Sequence, residues 1–354
     1  MRDHAAAFAG YKAFWNTDSG FPSNEYFKSV DARLDGIIGT KISEKVNGLG
    51  EIAGFINENG SAITGLNIGT PVALAMIDAH SAMPALGITD SGRLMMILGT
   101  SACHIVNCDE DVKVSGICGH VKNGVIPNTV TYEAGQQSFG DTFGWFVNNF
   151  VPEGYTKEAE ERNISIHALL REKMINTKVG ESGLIALDWL NGNRSVLNNS
   201  DLSGAIFGMT IKTKPEAIYR ALLEGTAFGT RRIIEQFENS GVKIDSICAA
   251  GGIPTKDSFL MQMYSNVLDR KIEIAGTTQA GARGAAIYAS VAGGFYDSIV
   301  SASKALSVKS SKSYIPERES SEKYQKLYRE YCILHDYFAH ENDVLTRLSR
   351  GEIC

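Results

Sequence analysis

The stretch that most constrains the fold is Leu94-Met95-Met96-Ile97-Leu98-Gly99-Thr100-Ser101-Ala102-Cys103-His104-Ile105-Val106, an apolar run interrupted by three small residues and then resumed. Two runs rich in Ile, Val, Leu and Met on either side of such a turn predict a hairpin of two strands. The turn is either a bare connection or a ligand site. Gly99 lets a ligand approach the backbone closely, and successive N–H groups with the Thr100 and Ser101 hydroxyls can converge on phosphate oxygens.

A second run, Thr70 to Ile77, reads as a buried strand that ends in Asp78-Ala79-His80. A carboxylate at a strand's carboxyl end lies where α/β folds place ligands. The alternative is that Asp78 caps the next helix, Ala79 to Leu86. Earlier in the chain, Ser23 or Asn24 caps a short helix with Tyr26, Phe27 and Val30, and Ala53-Gly54-Phe55-Ile56 reads as a short helix. Beyond the hairpin, Val112 to Val130 suggests further strands with Asn123-Gly124 as a turn. Glu133 precedes a helix carrying Phe139, Phe143 and Phe146, and is either a surface acid at that helix start or a group that reaches a polar ligand.

Glu153 to Lys178 reads as amphipathic helices, and Leu184 to Leu190 as a strand. Pro215 opens a helix that runs to Gly241, whose internal Gly225 and Gly229 imply close packing against a sheet or the neighbouring hairpin. Ile244 to Ala250 is a strand, Gly251-Gly252-Ile253-Pro254 a turn and Thr255 to Asp269 a helix. That order suits either a plain βα turn or an anion site. Gly281 to Ser290 is a small-residue helix suited to tight interdomain packing, Ser307 to Pro316 a polar linker, and Tyr324, Leu327, Tyr328, Tyr331, Leu334 and Phe338 form one stripe of a final helix.

The chain has 354 residues, above the size at which a single core stops growing, so two domains or parts of two are expected. Lys+Arg 34 against Asp+Glu 40 gives a net charge of -6, which argues for a small-molecule partner and against a general nucleic-acid or membrane binder. Cys103, Cys108, Cys118, Cys248, Cys332 and Cys354 form no C-x-x-C pair, so free thiols in a reducing cytoplasm are expected, with His104 a strand residue. No apolar stretch has the length of a membrane span and no signal peptide is recognisable, which also predicts a cytoplasmic protein.

Five motifs in order, Gly10-Tyr11-Lys12-Ala13-Phe14-Trp15, Ile77-Asp78-Ala79-His80, Leu98 to His104, Tyr132-Glu133-Ala134-Gly135-Gln136 and Ala186 to Ser195, resemble the bacterial L-ribulokinases of the FGGY carbohydrate kinases, from about Ala5 to Arg347. The resemblance implies an α/β chain with the actin-like (ribonuclease H-like) fold. Residues 69–306 would be the FGGY C-terminal domain, 1–68 a remnant of the N-terminal domain, and 307–354 a linker with an amphipathic helix.

It further implies ATP-dependent phosphorylation of the 5-hydroxyl of L-ribulose or a related pentulose, in arabinose catabolism. Asp78 matches the catalytic base and, directly or through water, a Mg2+ contact. Lys12 and Glu133 match the ketose site, together with Asp78. Gly99, Thr100, Ser101, Gly135, Gly251, Gly252 and Asp257 match the ATP site, although Asp257 stands where relatives often carry Asn. A homodimer is left open.

Relatives begin with an Asp-x-Gly-Thr phosphate clamp, and no such motif precedes Ala5. Much of the first domain is then expected to be missing, and little activity is expected unless it is supplied by another chain or a longer gene product, because phosphoryl transfer rests on positioning and charge neutralisation. The alternatives are a non-catalytic nucleotide- or sugar-binding module acting in regulation or assembly, and a non-functional truncation that self-associates through exposed apolar surface.

Overall fold

The computed structural model describes residues 4–352, so Cys354 lies outside the described residues. Seven strands form the central sheet: β1 (Arg93–Leu98), β2 (Ala102–Cys108), β3 (Gly119–Lys122), β4 (Val130–Gln136), β5 (Ser246–Ala250), β6 (Ile272–Ile274) and β7 (Lys312–Tyr314). They lie in the order β7-β6-β5-β1-β2-β4-β3. β1 and β2 are the antiparallel hairpin predicted from sequence, with Leu98 opposite Ala102. β4 continues antiparallel beside β2, while β5 runs parallel to both β1 and β6. The result is the mixed α/β sheet expected of the actin-like class.

The helices that matter below are α1 (Ala6–Ala13), α2 (Asp78–Ala85), α3 (Gly140–Phe150), α4 (Ile166–Met174), α5 (Pro215–Asn239), α6 (Gly252–Lys256), α7 (Ser258–Leu268), α8 (Ala280–Ala292) and α9 (Arg318–Asp336). Side chains alternate across a strand, so β1 feeds two cores. Leu94, Met96 and Leu98 join Leu222, Phe228 and Ile233 of α5 on one face. Met95 joins Met83 of α2 and Ile287 of α8 on the other. Covering both faces explains why β1 reads as an unbroken apolar run.

Glycines set the closest approaches. On α5, a Cβ on Gly225 would lie 2.6 Å from the Ala186 carbonyl oxygen, and one on Gly229 2.6 Å from Gln136 Nε2. A Cβ on Gly284 of α8 would run into the Ser81 carbonyl of α2, and Ser81 Oγ donates to the Gly281 carbonyl at 3.0 Å. The α5 glycines pack as closely as their sequence implies, whereas α8 packs on α2 inside residues 69–306 and not across the expected domain boundary.

Several local expectations are corrected. The run from Thr70 to Ile77 is a strand only at Pro71–Ala73, and it pairs with Ile52–Phe55 in a separate two-stranded ribbon. It is not a buried strand, because this ribbon leaves Ile52, Phe55 and Val72 exposed. Asp78 therefore opens a helix and does not end a strand of the central sheet. Residues 53–56 are extended, and the helix follows at Glu58–Thr64, where Asn57 accepts the Gly60 N–H at 2.8 Å. The helix expected from Thr255 to Asp269 breaks at Asp257, which leaves the helical region to cap α7.

The expected linker contains β7, an edge strand of the central sheet. After it, α9 buries Tyr324, Tyr328 and Tyr331, with the Tyr331 and Phe228 ring centroids 5.2 Å apart. The described cysteines are all free, and His104 is a buried strand residue. Among the described residues no helix is long and apolar enough to cross a membrane.

Gly284→Ala should lower stability by about 1–3 kcal/mol despite alanine's better helix propensity, because the added methyl overpacks the α2–α8 contact. Gly144→Ala, in α3 with nothing near the added Cβ, should raise it by about 0.5–1 kcal/mol. Urea unfolding of the two variants beside the parent checks both signs.

Candidate active site

Strand alternation decides where Glu133 goes. Tyr132 and Ala134 belong to the core on the α5 side, so Glu133 points to the side where α2 lies. There it is only 5% exposed, with Arg194 Nη2 donating to Oε1 at 2.5 Å and His80 Nε2 standing 3.2 Å from Oε2. Burial pushes this carboxyl up, but His80, Arg194 and Lys12 together outweigh it and hold the value at about 2. The reading of Glu133 as a surface acid at a helix start is thus corrected: it is an ionised, buried group within a strand.

Its partners arrive from three distant segments. α1 buries Ala6, Ala7, Ala9 and Ala13 and crosses β3, where only a glycine at position 10 fits beside Val121. This sets the Tyr11 ring 4.6 Å from that of His80, with the Tyr11 hydroxyl donating to the Thr131 carbonyl. Lys12 then lines a cavity of about 280 Å³ together with Tyr11, Cys118, Glu133, Arg194 and Asn198. Arg194 sits on a loop closed by reciprocal Asn193–Asn199 backbone bonds of 2.8 Å.

Gly135 belongs to this arrangement and does not line the nucleotide-sized cavity described next. Its N–H donates to Ser195 Oγ at 3.2 Å, and a side chain there would meet the Ala102 carbonyl and crowd Arg194.

Asp78 is the first residue of α2 and exposed, with Oδ1 accepting the Ala79 N–H at 2.8 Å. The N-cap position belongs to Ile77, so Asp78 serves the helix start as a first-turn acid on the Ala79 N–H and not as its N-cap. Two residues on, the same helix delivers His80 to Glu133.

The larger cavity, about 710 Å³, is lined by Gly99, Thr100, Gly140, Arg171, Gly252 and Asp257 among others. The β1–β2 turn is tied to the start of α3: Phe139 N–H donates to the Thr100 carbonyl at 2.9 Å, and Gly140 N–H to that of Gly99 at 3.0 Å. Gly251 takes φ +110° directly against Leu98, whose carbonyl oxygen would be 2.6 Å from a Cβ. Three glycine-bearing segments, from β1, α3 and β5, therefore converge. Ser101 lies exposed beside them, outside the lining. Asp257 is 5% exposed, pairs with Arg171 at 2.5 Å and accepts the Leu260 N–H at 3.1 Å; burial raises its carboxyl, which Arg171 opposes.

Sequence reasoning singled out Lys12 and Glu133, which meet, and Gly99, Thr100, Gly252 and Asp257, which meet elsewhere. It left out His80, Arg194 and Arg171. His80 and Arg194 lie within motifs that carried the resemblance; Arg171 had no signal beyond helical spacing from His167.

A depressed carboxyl stabilises the fold above its unfolded value and loses that contribution as pH falls. Glu133 should therefore contribute roughly 3 kcal/mol at neutral pH that disappears between its ordinary 4.5 and about 2. Unfolding free energies measured across this range should fall steeply for the parent and less so for Glu133→Gln.

Residues 94–293 match the FGGY family of carbohydrate kinases, C-terminal domain. The chain is 48% identical over 347 residues to a ribulokinase of Bacillus licheniformis, covering 97% of this chain and 63% of that protein. It is 47% identical over 345 residues to a ribulokinase of Halalkalibacterium halodurans, covering 96% and 61%. The chain thus spans about three-fifths of the length of these curated relatives.

Two solved structures share the fold. A ligand-bound xylulose kinase from Lactobacillus acidophilus superposes with a TM-score of 0.80 at 18% identity, covering 96% of this chain and 65% of that one. A Plasmodium falciparum glycerol kinase with ADP gives 0.71 at 19%, covering 94% and 63%. With a family match over more than half its length and this fold, the chain belongs to the FGGY family of carbohydrate kinases.

Proposed function

We propose that these residues form the base-bearing and nucleotide-binding part of an ATP-dependent ribulokinase, acting on the 5-hydroxyl of L-ribulose or a related pentulose in the cytoplasm. The observation that carries this reading is the span of α2. It begins at Asp78 and two residues later buries His80 against Glu133. A carboxylate able to accept a hydroxyl proton and a carboxylate able to hold sugar hydroxyls are thereby tied to one short helix. The identity to ribulokinases supports the choice of sugar.

In this reading Glu133, ionised and acceptor-only, takes hydrogen bonds from ketose hydroxyls, while Lys12 and Arg194 donate to the ketose oxygens. Asp78 accepts the 5-hydroxyl proton as the bond from that oxygen to the γ-phosphorus forms and the bond to ADP breaks. Gly99, Thr100, Ser101, Gly251 and Gly252 cradle the phosphates through backbone N–H groups and hydroxyls. Among the described residues no group of three or more His, Cys, Asp or Glu side chains could hold a metal ion. Asp78, an exposed carboxylate at the head of α2, would be the residue to hold Mg2+ that arrives with ATP, and the ion would supply charge neutralisation at the transferred phosphoryl group. The 354 residues contain no Asp-x-Gly-Thr clamp, so efficient turnover is expected to need that segment, supplied by another chain or by a longer gene product.

ADP release with L-ribulose should be slow for the chain alone and rise at least about 100-fold when a polypeptide carrying the Asp-x-Gly-Thr domain is added. Asp78→Asn should remove about 10²–10⁴-fold of the restored rate. Fast turnover by the chain alone, at verified intact mass, would contradict the need for the added segment. Binding of ATP or ribulose without turnover in either mixture would favour a non-catalytic module.

A further inference from the structure

Arg194 reaches the smaller cavity on a stretch of chain that wraps around an edge of the central sheet. β3 pairs with β4 only as far as Glu133, opposite Gly119. Beyond that point residues 188–195 run beside β4 in its place, and the Gly135 N–H donates to Ser195 Oγ. The two ends of this stretch lie on opposite faces of the sheet. Arg194 meets Glu133 on the α2 side, whereas Asp188 meets Gln136, which faces α5 as Ala134 does.

The Asp188 end is the firmly held one. Asp188 follows a short strand, Ile185–Leu187, that pairs with Ala205–Phe207. It is 7% exposed, with Oδ2 accepting from Gln136 Nε2 at 2.6 Å and Oδ1 from the Tyr331 hydroxyl of α9 at 3.3 Å. Gln136 is itself fixed: Nε2 also donates to the Thr226 carbonyl at 2.8 Å, and Oε1 accepts from Thr230 Oγ1 at 2.8 Å. A Cβ on Gly229 would lie 2.6 Å from Gln136 Nε2 and 2.8 Å from Asp188 Oδ2, so α5 closes directly over the pair. The Arg194 end is looser, since the reciprocal Asn193–Asn199 bonds close that part of the loop only on itself and the Arg194 side chain is 35% exposed. Asp188 takes no part in the chemistry assigned above, yet it ties the segment bearing Arg194 to the sheet and to α9.

We propose that Asp188, held by Gln136 and by Tyr331 of α9, is a positioning residue for the cavity around Glu133: it sets where the loop places Arg194 against Glu133 and the sugar. This rests on reading that cavity as the sugar site.

Asp188→Ala leaves the Gln136 amide and the Tyr331 hydroxyl short of a partner and releases the loop. Calorimetry should show L-ribulose binding weakened about tenfold or more, with ADP affinity unchanged. The Gly135 amide, which leans on Ser195, should exchange with deuterium roughly tenfold faster. Asp188→Asn keeps an acceptor for Gln136 and a polar group for Tyr331, so it should return ribulose affinity to within about threefold of the parent. Tyr331→Phe removes only the hydroxyl and should give a smaller loss of the same kind, about threefold; it reads the same coupling where Asp188→Ala does not fold. Equal losses for ribulose and ADP, or unchanged ribulose affinity in folded Asp188→Ala, would overturn the proposal and leave the sugar site intact. A parent chain that binds no ribulose would overturn the sugar-site reading. The Gly135 amide then decides alone: faster exchange in Asp188→Ala upholds the positioning of the loop, and unchanged exchange overturns it.

Discussion

The interaction on which the site depends is the ionised carboxylate of Glu133, buried in the middle of a strand. Burying a charge is costly unless cations and hydrogen bonds offset the lost hydration. Here Arg194, His80 and Lys12 supply that offset from three segments far apart in the chain. Each has its own structural condition: Gly10 lets α1 cross β3, Gly135 admits the Arg194 loop, and Gly284 lets α8 seat α2. Losing one partner would leave the others around an imperfectly compensated charge. The same cluster holds the helix that starts at Asp78, so fold and chemistry meet at this carboxylate.

A polar seam behind the sheet serves a different purpose. Gln136 donates to Asp188 at 2.6 Å and accepts from Thr230 at 2.8 Å, while Tyr331 donates to Asp188 at 3.3 Å. Burial pushes Asp188 up to about 6 and His104 down to about 4, so at neutral pH the imidazole is neutral while Asp188 stays mostly ionised on the Gln136 and Tyr331 donors. The seam specifies how α5 and α9 sit on the sheet. Glu133 is displaced the other way, to about 2, because His80, Arg194 and Lys12 face it.

Much of the sheet was legible in the sequence because its strands are buried on both faces or follow clear turns: β1, β2 and β5 read as apolar runs, and α5 announced itself through Pro215 and its helical spacing. The ribbon of residues 52–55 and 71–73 was misread for the opposite reason. Its strands are partly exposed and stand apart from the central sheet, so neither alternation nor an unbroken apolar run marks them reliably. The break at Asp257 was missed although Asp is a favoured N-cap: its side chain accepts the Leu260 N–H and pairs with Arg171, a tertiary partner that no local pattern shows. Glu133 was legible as a residue but not as an environment. Nothing local says that a helix from residues 78–85 and a loop near residue 194 will close over it. Asp78 stood out by its motif, yet the strand-end argument used for it was wrong in structure.

Binding of L-ribulose, measured by calorimetry on the parent chain and on Glu133→Gln with ADP affinity as the internal control, addresses the central claim most directly. The account predicts that the substitution weakens ribulose by about tenfold or more, as expected on removing a charged hydrogen-bond acceptor, while ADP affinity stays the same. Unchanged ribulose affinity in a folded Glu133→Gln chain, or equal losses for both ligands, would contradict it.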